Sequence, residues 1–272
     1  MKQHDPFIWV RETRLAIPGV TREHRFLHIT DTHLCVWDEQ SSKEEKTESI
    51  RREGLWQPVK EEFARISGEP FGDAQTISTV NAFDKLLSLA AAEQPDALLM
   101  TGDNLDYMHP AGERYLKKRL REYGGRVLCV PGNHEAAACP GLWESGVQTM
   151  DFDGFRLVGV DNRQKTVTKP DLRRLQALCE EKVPLIVLCH IPLATAACKE
   201  DLKKLDDYFY IDEDTADDGG RAFARLCKTH PAIKAVLCGH AHGYTATMLA
   251  PGKPQIIGSQ GMAGAVHRLT VA

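Results

Sequence analysis

Five short apolar runs in this chain each end on side chains that can ligate a metal, and no other feature limits the possible folds more. Residues 26–29 lead into Asp31-Thr32-His33, and residues 97–101 into Gly102-Asp103-Asn104. Residues 127–130 lead into Pro131-Gly132-Asn133-His134-Glu135, residues 185–189 into His190, and residues 235–238 into Gly239-His240-Ala241-His242. Runs of this length, rich in Val, Ile and Leu and bounded by Gly, Pro, Asp and Asn, read as buried strands. Helical spacing lies between them. Phe83, Leu86, Leu87 and Ala90 predict a helix from about Thr79, capped by Ser78 or Thr79 and closed before Pro95. Leu116 and Leu120 predict a second helix, opening at Pro110 and stopped by Gly124-Gly125. Strand, motif, helix, strand, motif is the repeating order of an α/β fold whose function gathers at the carboxyl ends of its strands.

The rest of the chain varies this pattern. Residues 7–17 mix apolar and charged side chains ahead of Pro18-Gly19, which predicts an opening strand or hairpin. A polar excursion occupies residues 37–76; opposite charges near helical spacing in 43–52 predict a solvated helix there, and the excursion reads either as a surface insertion or as a loop that roofs the site that Asp31 and His33 begin. Asp153-Gly154 between two apolar segments is a hairpin signal. Thr168 to Asp171 resembles a capping box ahead of Leu172, Leu175, Leu178 and Cys179. The tail from Tyr244 reads as short strands divided by Pro251-Gly252 and by the glycines of 258–264. No repeat or linker breaks the sequence, so one domain is expected over residues 1–272.

Composition narrows the function classes. The 38 acidic and 34 basic residues leave a net charge of −4, which gives no general attraction to nucleic acid or to an anionic membrane. No run approaches the roughly 20 apolar residues that span a bilayer, and the opening residues lack the order of a signal peptide, so a cytoplasmic location is expected. The eight cysteines include no C-x-x-C pair and read as reduced core thiols.

Asp31, His33, Asp103, Asn133, His134, His190, His240 and His242 combine carboxylate and amide oxygens with several imidazoles and no thiolate. That donor set suits one or two divalent ions such as manganese, iron or zinc, and is richer in histidine than magnesium alone would require. Asp31 and His33 are two apart, so in an extended segment they would point the same way and converge on one ion. His4, His24, His28, His109, His230 and His267 lie outside the motifs and read as surface or core residues.

The motifs D-x-H, G-D, G-N-H-E, a lone His after a strand and G-H-x-H, in that order and intact from residue 31 to 242, resemble the calcineurin-like metallophosphoesterase superfamily. The resemblance implies a four-layer α/β/β/α sandwich of two facing mixed sheets. By position, Asp31, His33 and His242 would hold one divalent metal, Asn133, His190 and His240 the other, and Asp103 would bridge them. His134 would protonate the leaving oxygen or stabilise its charge. Glu135 stands where many members carry Asp, a departure that bears on how His134 is oriented; with His134 and Asp103 it makes up the expected catalytic set. The implied reaction is hydrolysis of a phosphomonoester or phosphodiester of a small phosphorylated molecule, by water that the two ions activate. The alternatives are a non-catalytic scaffold of the same fold, which the complete ligand set speaks against, and a nuclease, which the missing basic stripe speaks against. The substrate and the oligomeric state stay open. The acidic stretch 200–218, with Tyr208-Phe209-Tyr210-Ile211 at its centre, is either a solvated loop or a selectivity flap beside the metals.

Overall fold

The computed structural model describes residue 5 and residues 7–67, 77–143, 146–202 and 210–272. Its strands are β1 (Trp9–Leu15), β2 (His24–Ile29), β3 (Ala97–Thr101), β4 (Val127–Val130), β5 (Gln148–Phe152), β6 (Phe155–Gly159), β7 (Leu185–Leu188), β8 (Ile233–Cys238), β9 (Thr245–Ala250), β10 (Lys253–Ile257) and β11 (Ala265–Val271). The helices are α1 (Lys43–Ser67), α2 (Thr79–Glu93), α3 (Pro110–Tyr123), α4 (Lys169–Glu180), α5 (Ala196–Leu202) and α6 (Asp218–Thr229). One sheet runs β1-β11-β2-β3-β4 and the other β5-β6-β7-β8-β10-β9, both mixed in direction.

Strand alternation sorts the apolar residues into layers. In β3, Ala97 and Leu99 join Phe26, Leu128, Leu157, Ile186, Leu188 and Leu237 in the core between the sheets. Leu98 and Met100, one residue out of phase, pack outward with Phe83, Leu86, Leu116 and Leu120 of α2 and α3. Leu185 and Val187 of β7 likewise face outward to Leu172, Leu175 and Phe223 of α4 and α6. Strands covered on both faces must be apolar throughout, which is why the five runs carry so few polar residues. The result is helix, sheet, sheet, helix.

The local signals are realised where the chemistry demanded them. Ser78 and Thr168 accept from the backbone N–H groups of Asn81 and Asp171 as N-caps, Gln94 turns left-handed ahead of Pro95, and Gly124 does so after α3. Asp153-Gly154 joins the antiparallel pair β5 and β6. One expectation resolves to the first of its alternatives and another changes. The opening segment forms a strand but no hairpin, because β1 pairs in parallel with β11, the last strand of the tail; the tail is thus shared between the sheets. And α1 extends well beyond residue 52, with one face against the protein rather than solvated all round. Residues 68–76 of that excursion, and 203–209 of the acidic stretch, lie outside the described residues.

Candidate metal centre

Strands β2, β3 and β4 run in parallel, as do β7 and β8, and the face-to-face sheets bring both sets of carboxyl ends to one edge. There the five motifs meet. The expectation that Asp31 and His33 converge by strand alternation is not how the chain does it. Strand β2 ends at Ile29, and both residues take left-handed backbone, with φ of 52° and 40°. Asp103, His240 and His242 are left-handed too, so five of the seven candidate ligands occupy a region that costs an L-residue on the order of 1–3 kcal/mol. Backbone hydrogen bonds hold them: Asp31 N–H donates to the Gly102 carbonyl at 3.0 Å, His33 N–H to that of Asp103 at 2.9 Å, and Gly239 N–H to that of His190 at 2.9 Å.

Two donor clusters share Asp103, and a third group, His33, Asp106 and His134, adjoins the first. In the first, Asp31, His33, Asp103 and His242 converge; in the second, Asp103 is shared with His190 and His240. Nε2 of His33 lies 3.0 Å from Nε2 of His242, and the latter 3.3 Å from an Asp31 oxygen. Nε2 of His190 is 3.2 Å from Asp103 Oδ2 and 2.9 Å from Asn133 Oδ1. Ligands bound at about 2.1 Å to one cation sit roughly 3.0–3.4 Å apart, so these separations fit a shared ion. Asp31, His33, Asp103 and His190 are almost wholly buried, and carboxylates in such a place need cationic partners. His190 donates from Nδ1 to the Thr101 carbonyl at 2.8 Å, which leaves its Nε2 lone pair directed at the cluster.

Glycine at 132 is a steric requirement. A Cβ there would stand 2.8 Å from Cγ of Asp103 and closer still to its carboxylate oxygen and amide nitrogen. The motif therefore couples Asn133 to Asp103 through contact that no side chain can enter.

The structure places His134 at the rim, its side chain 28% exposed while those of His33 and His190 are fully covered. Its Nδ1 donates to the Asp106 carbonyl at 2.7 Å and stands 3.3 Å from that residue's carboxylate, so Nε2 is the atom left for a substrate. Burial opposes a charge on this ring, but Asp106 and Asp103 outweigh it and raise its pKa to about 9; two divalent ions alongside would draw it back down. Burial also favours protonation of Asp106, yet donors from His134, His33 and Arg52 hold its carboxyl well below the usual carboxylate range.

Glu135, grouped with the catalytic residues from sequence, is fully buried and turned to the backbone. Its buried carboxylate accepts from the backbone N–H groups of Gly132 (2.5 Å), Asp103 (3.0 Å) and Leu105 (2.7 Å), bracing the two loops that carry Asp103 and Asn133. Its three contacts are all with backbone N–H groups, and the Asp106 carbonyl and carboxylate both face Nδ1 of His134. Sequence reasoning missed Asp106, although it stands only three residues beyond Asp103. It also missed Asn162, just past β6, which accepts from the N–H groups of His190 (2.9 Å) and Ile191 (3.0 Å) and donates to the Ile191 carbonyl (2.7 Å).

The described part of the acidic stretch packs and pairs within the protein. Tyr210 and Ile211 are buried in the core under α4 and α6, Asp212 pairs with Lys199, Glu213 pairs with Lys228 at 2.6 Å, and Asp217 caps α6. Tyr210 and Ile211 form the apolar part of its described residues because they pack inward.

Among known proteins, residues 24–244 match the profile of the calcineurin-like phosphoesterase family. A probable cyclic nucleotide phosphodiesterase of Synechococcus sp. strain PCC 6301 is 27% identical over 160 residues, 54% of this chain and 58% of the relative's length. Another, from Synechococcus sp. strain WH7803, is 26% identical over 200 residues, 64% of this chain and 69% of the relative. The fold is similar to that of a dimetal phosphatase from Danio rerio, with a TM-score of 0.55, 13% identity and 88% of each chain covered. It is also similar to purple acid phosphatase from yellow lupin, with a TM-score of 0.54, 11% identity, and 91% of this chain and 45% of that one covered. With the motif order, the two-cluster geometry and a profile match over most of its length, the chain belongs to the calcineurin-like phosphoesterase family.

Proposed function

We propose that this chain hydrolyses a small phosphorylated molecule, with a phosphodiester of the cyclic nucleotide type as the leading substrate class, at a centre of two divalent ions of the manganese, iron or zinc kind. The observation that carries the reading is the sharing of one buried carboxylate, Asp103, between two donor clusters whose atoms stand at ligand spacing. The names of the two Synechococcus relatives support the diester class. Asp31, His33, Asp103 and His242 would hold one ion, and Asp103, Asn133, His190 and His240 the other. When bound, such a pair activates water near neutral pH and offsets the charge of phosphoryl oxygens.

The chain's own residues supply the remainder. Asp103 fixes the separation of the clusters, and Asn162 and Glu135 keep the His190 and Asp103 backbones from shifting. His134 presents Nε2 to the leaving oxygen, with its other nitrogen committed to Asp106. No strongly basic surface is needed, since the site is locally cationic once loaded even though the chain carries −4 overall. Among the described residues no helix is long and apolar enough to cross a membrane, and eight buried thiols without a disulfide support a reducing compartment such as the cytoplasm.

The test is to prepare metal-free protein, reload it with manganese, and assay 4-nitrophenyl phosphate, bis(4-nitrophenyl) phosphate and cyclic nucleotides. Two ions per chain and diester hydrolysis abolished by chelator are expected. A chain that binds two ions and hydrolyses none of the panel would sink the reading.

A further inference from the structure

Helix α1 lies against the site with an unusual inner face. Ser49, Arg52, Glu53, Trp56 and Lys60, at helical spacing, point inward, while Ile50 and Leu55 are more than half exposed. It is therefore fastened by directed polar contacts rather than by an apolar stripe. Ser49 donates to the Val36 carbonyl at 2.7 Å, Lys60 to that of Ile77 at 2.7 Å, and Glu53 accepts from the Thr79 hydroxyl at 2.6 Å.

Two of these contacts converge on one buried carboxylate at the metal centre. Trp56 donates from Nε1 to Asp106 Oδ1 at 3.0 Å, and Arg52 from Nη1 to Asp106 Oδ2 at 2.9 Å. The same Oδ1 faces Nδ1 of His134 at 3.3 Å and Nδ1 of the candidate ligand His33 at 3.4 Å. The Trp56 ring covers the His33 ring at 4.0 Å and lies 5.7 Å from that of His242. Arg52 is held in turn by Glu48, at 2.6 Å from Nε, and lies over the Tyr107 ring at 4.7 Å.

The terminal torsion of an aspartate is broad and roughly two-fold, so backbone position alone does not set the carboxylate plane. One donor on each oxygen does. We propose that Trp56 and Arg52 are positioning residues of the hydrolytic site, which fix the Asp106 carboxylate and through it the rings of His134 and His33. Phenylalanine at 56 would keep the cover over His33 but lose the N–H; lysine at 52 would keep the charge but lose the fork that spans Asp106 and Glu48. A misplaced His134 ring matters most when the leaving oxygen needs a proton, and a misplaced His33 ring weakens metal binding.

This inference rests on the phosphoesterase reading, and its test separates the two. Trp56→Phe and Arg52→Lys are compared with the parent chain in manganese affinity by calorimetry, and in kcat and KM for diesters with 4-nitrophenyl and with phenyl leaving groups. Expected for each variant are a bound stoichiometry of two ions, manganese affinity lower by about three- to tenfold, and kcat lower by roughly tenfold for the phenyl ester but less than about threefold for the nitrophenyl ester. An equal loss on both esters, an effect confined to KM, or no effect in either variant would overturn it. Should the parent chain bind manganese but hydrolyse neither ester, the phosphoesterase reading fails, while unchanged manganese affinity in both variants would separately overturn the positioning of His33.

Discussion

Gly132→Ala is the smallest change that should disable the centre without touching a ligand. The new methyl would fall 2.8 Å from Cγ of Asp103, where non-bonded carbon contacts rarely lie below about 3.4 Å. Either the Asp103 side chain or the 131–134 loop must therefore retreat by at least about 0.6 Å, and by more if the still closer carboxylate oxygen is to be relieved. Metal–ligand distances tolerate only about 0.2 Å, and a displacement of about 1 Å near reacting atoms costs on the order of 10²-fold in rate. The expected result is a fall in bound manganese from two ions per chain toward one, with kcat/KM for bis(4-nitrophenyl) phosphate lower by roughly 10- to 100-fold, about 1.4–2.7 kcal/mol. Metal content is read by elemental analysis, turnover by absorbance and fold integrity by thermal unfolding of the metal-free protein. A folded variant with two ions and parental kcat/KM would refute the claim that Gly132 sets the bridging position of Asp103.

Asp103→Asn should abolish hydrolysis and metal pairing together, since an amide bridges two cations poorly; an active variant with two tightly bound ions would contradict the assignment. His134→Gln should keep metal content near normal and lower kcat by about 10²–10⁴-fold on esters with poor leaving groups, with a smaller loss for nitrophenyl esters; metal loss instead would make His134 a ligand. Burial lowers the pKa of His267 from its ordinary 6.5 to about 4, so the unfolded chain binds this proton more tightly. The stabilisation from keeping His267 neutral is complete above pH 6.5 and is lost as pH falls toward 4, by about 3 kcal/mol at most. In chelator, urea unfolding of His267→Phe should show a shallower decline between pH 8 and pH 4.5 than the parent chain, and parallel curves would exclude this source.

That Asp31, His33, Asp103, Asn133, His190, His240 and His242 would meet was legible in the sequence. Motif order, the apolar runs that carry the motifs, and the caps at Ser78, Thr168 and Gly124 are local properties, encoded by periodicity and by side-chain chemistry within a few residues. Tertiary structure decided the rest, for reasons of distance and backbone. Left-handed Asp31, His33, Asp103, His240 and His242 leave no trace in a sequence, because Asp and His are not glycine and only the surrounding hydrogen bonds hold them there. Asp106 reads as an ordinary loop aspartate until the sheets pack and deliver His134 and His33 to it. Tyr210 and Ile211 read as part of a solvated loop or a flap and prove to be core, since an apolar pair says that something will cover it but not what. The polar face of α1 resembles a solvated surface in the sequence, and becomes the inner wall of the site only because the carboxylate of Asp106, held ionised among cationic donors, gives Arg52 and Trp56 a buried partner.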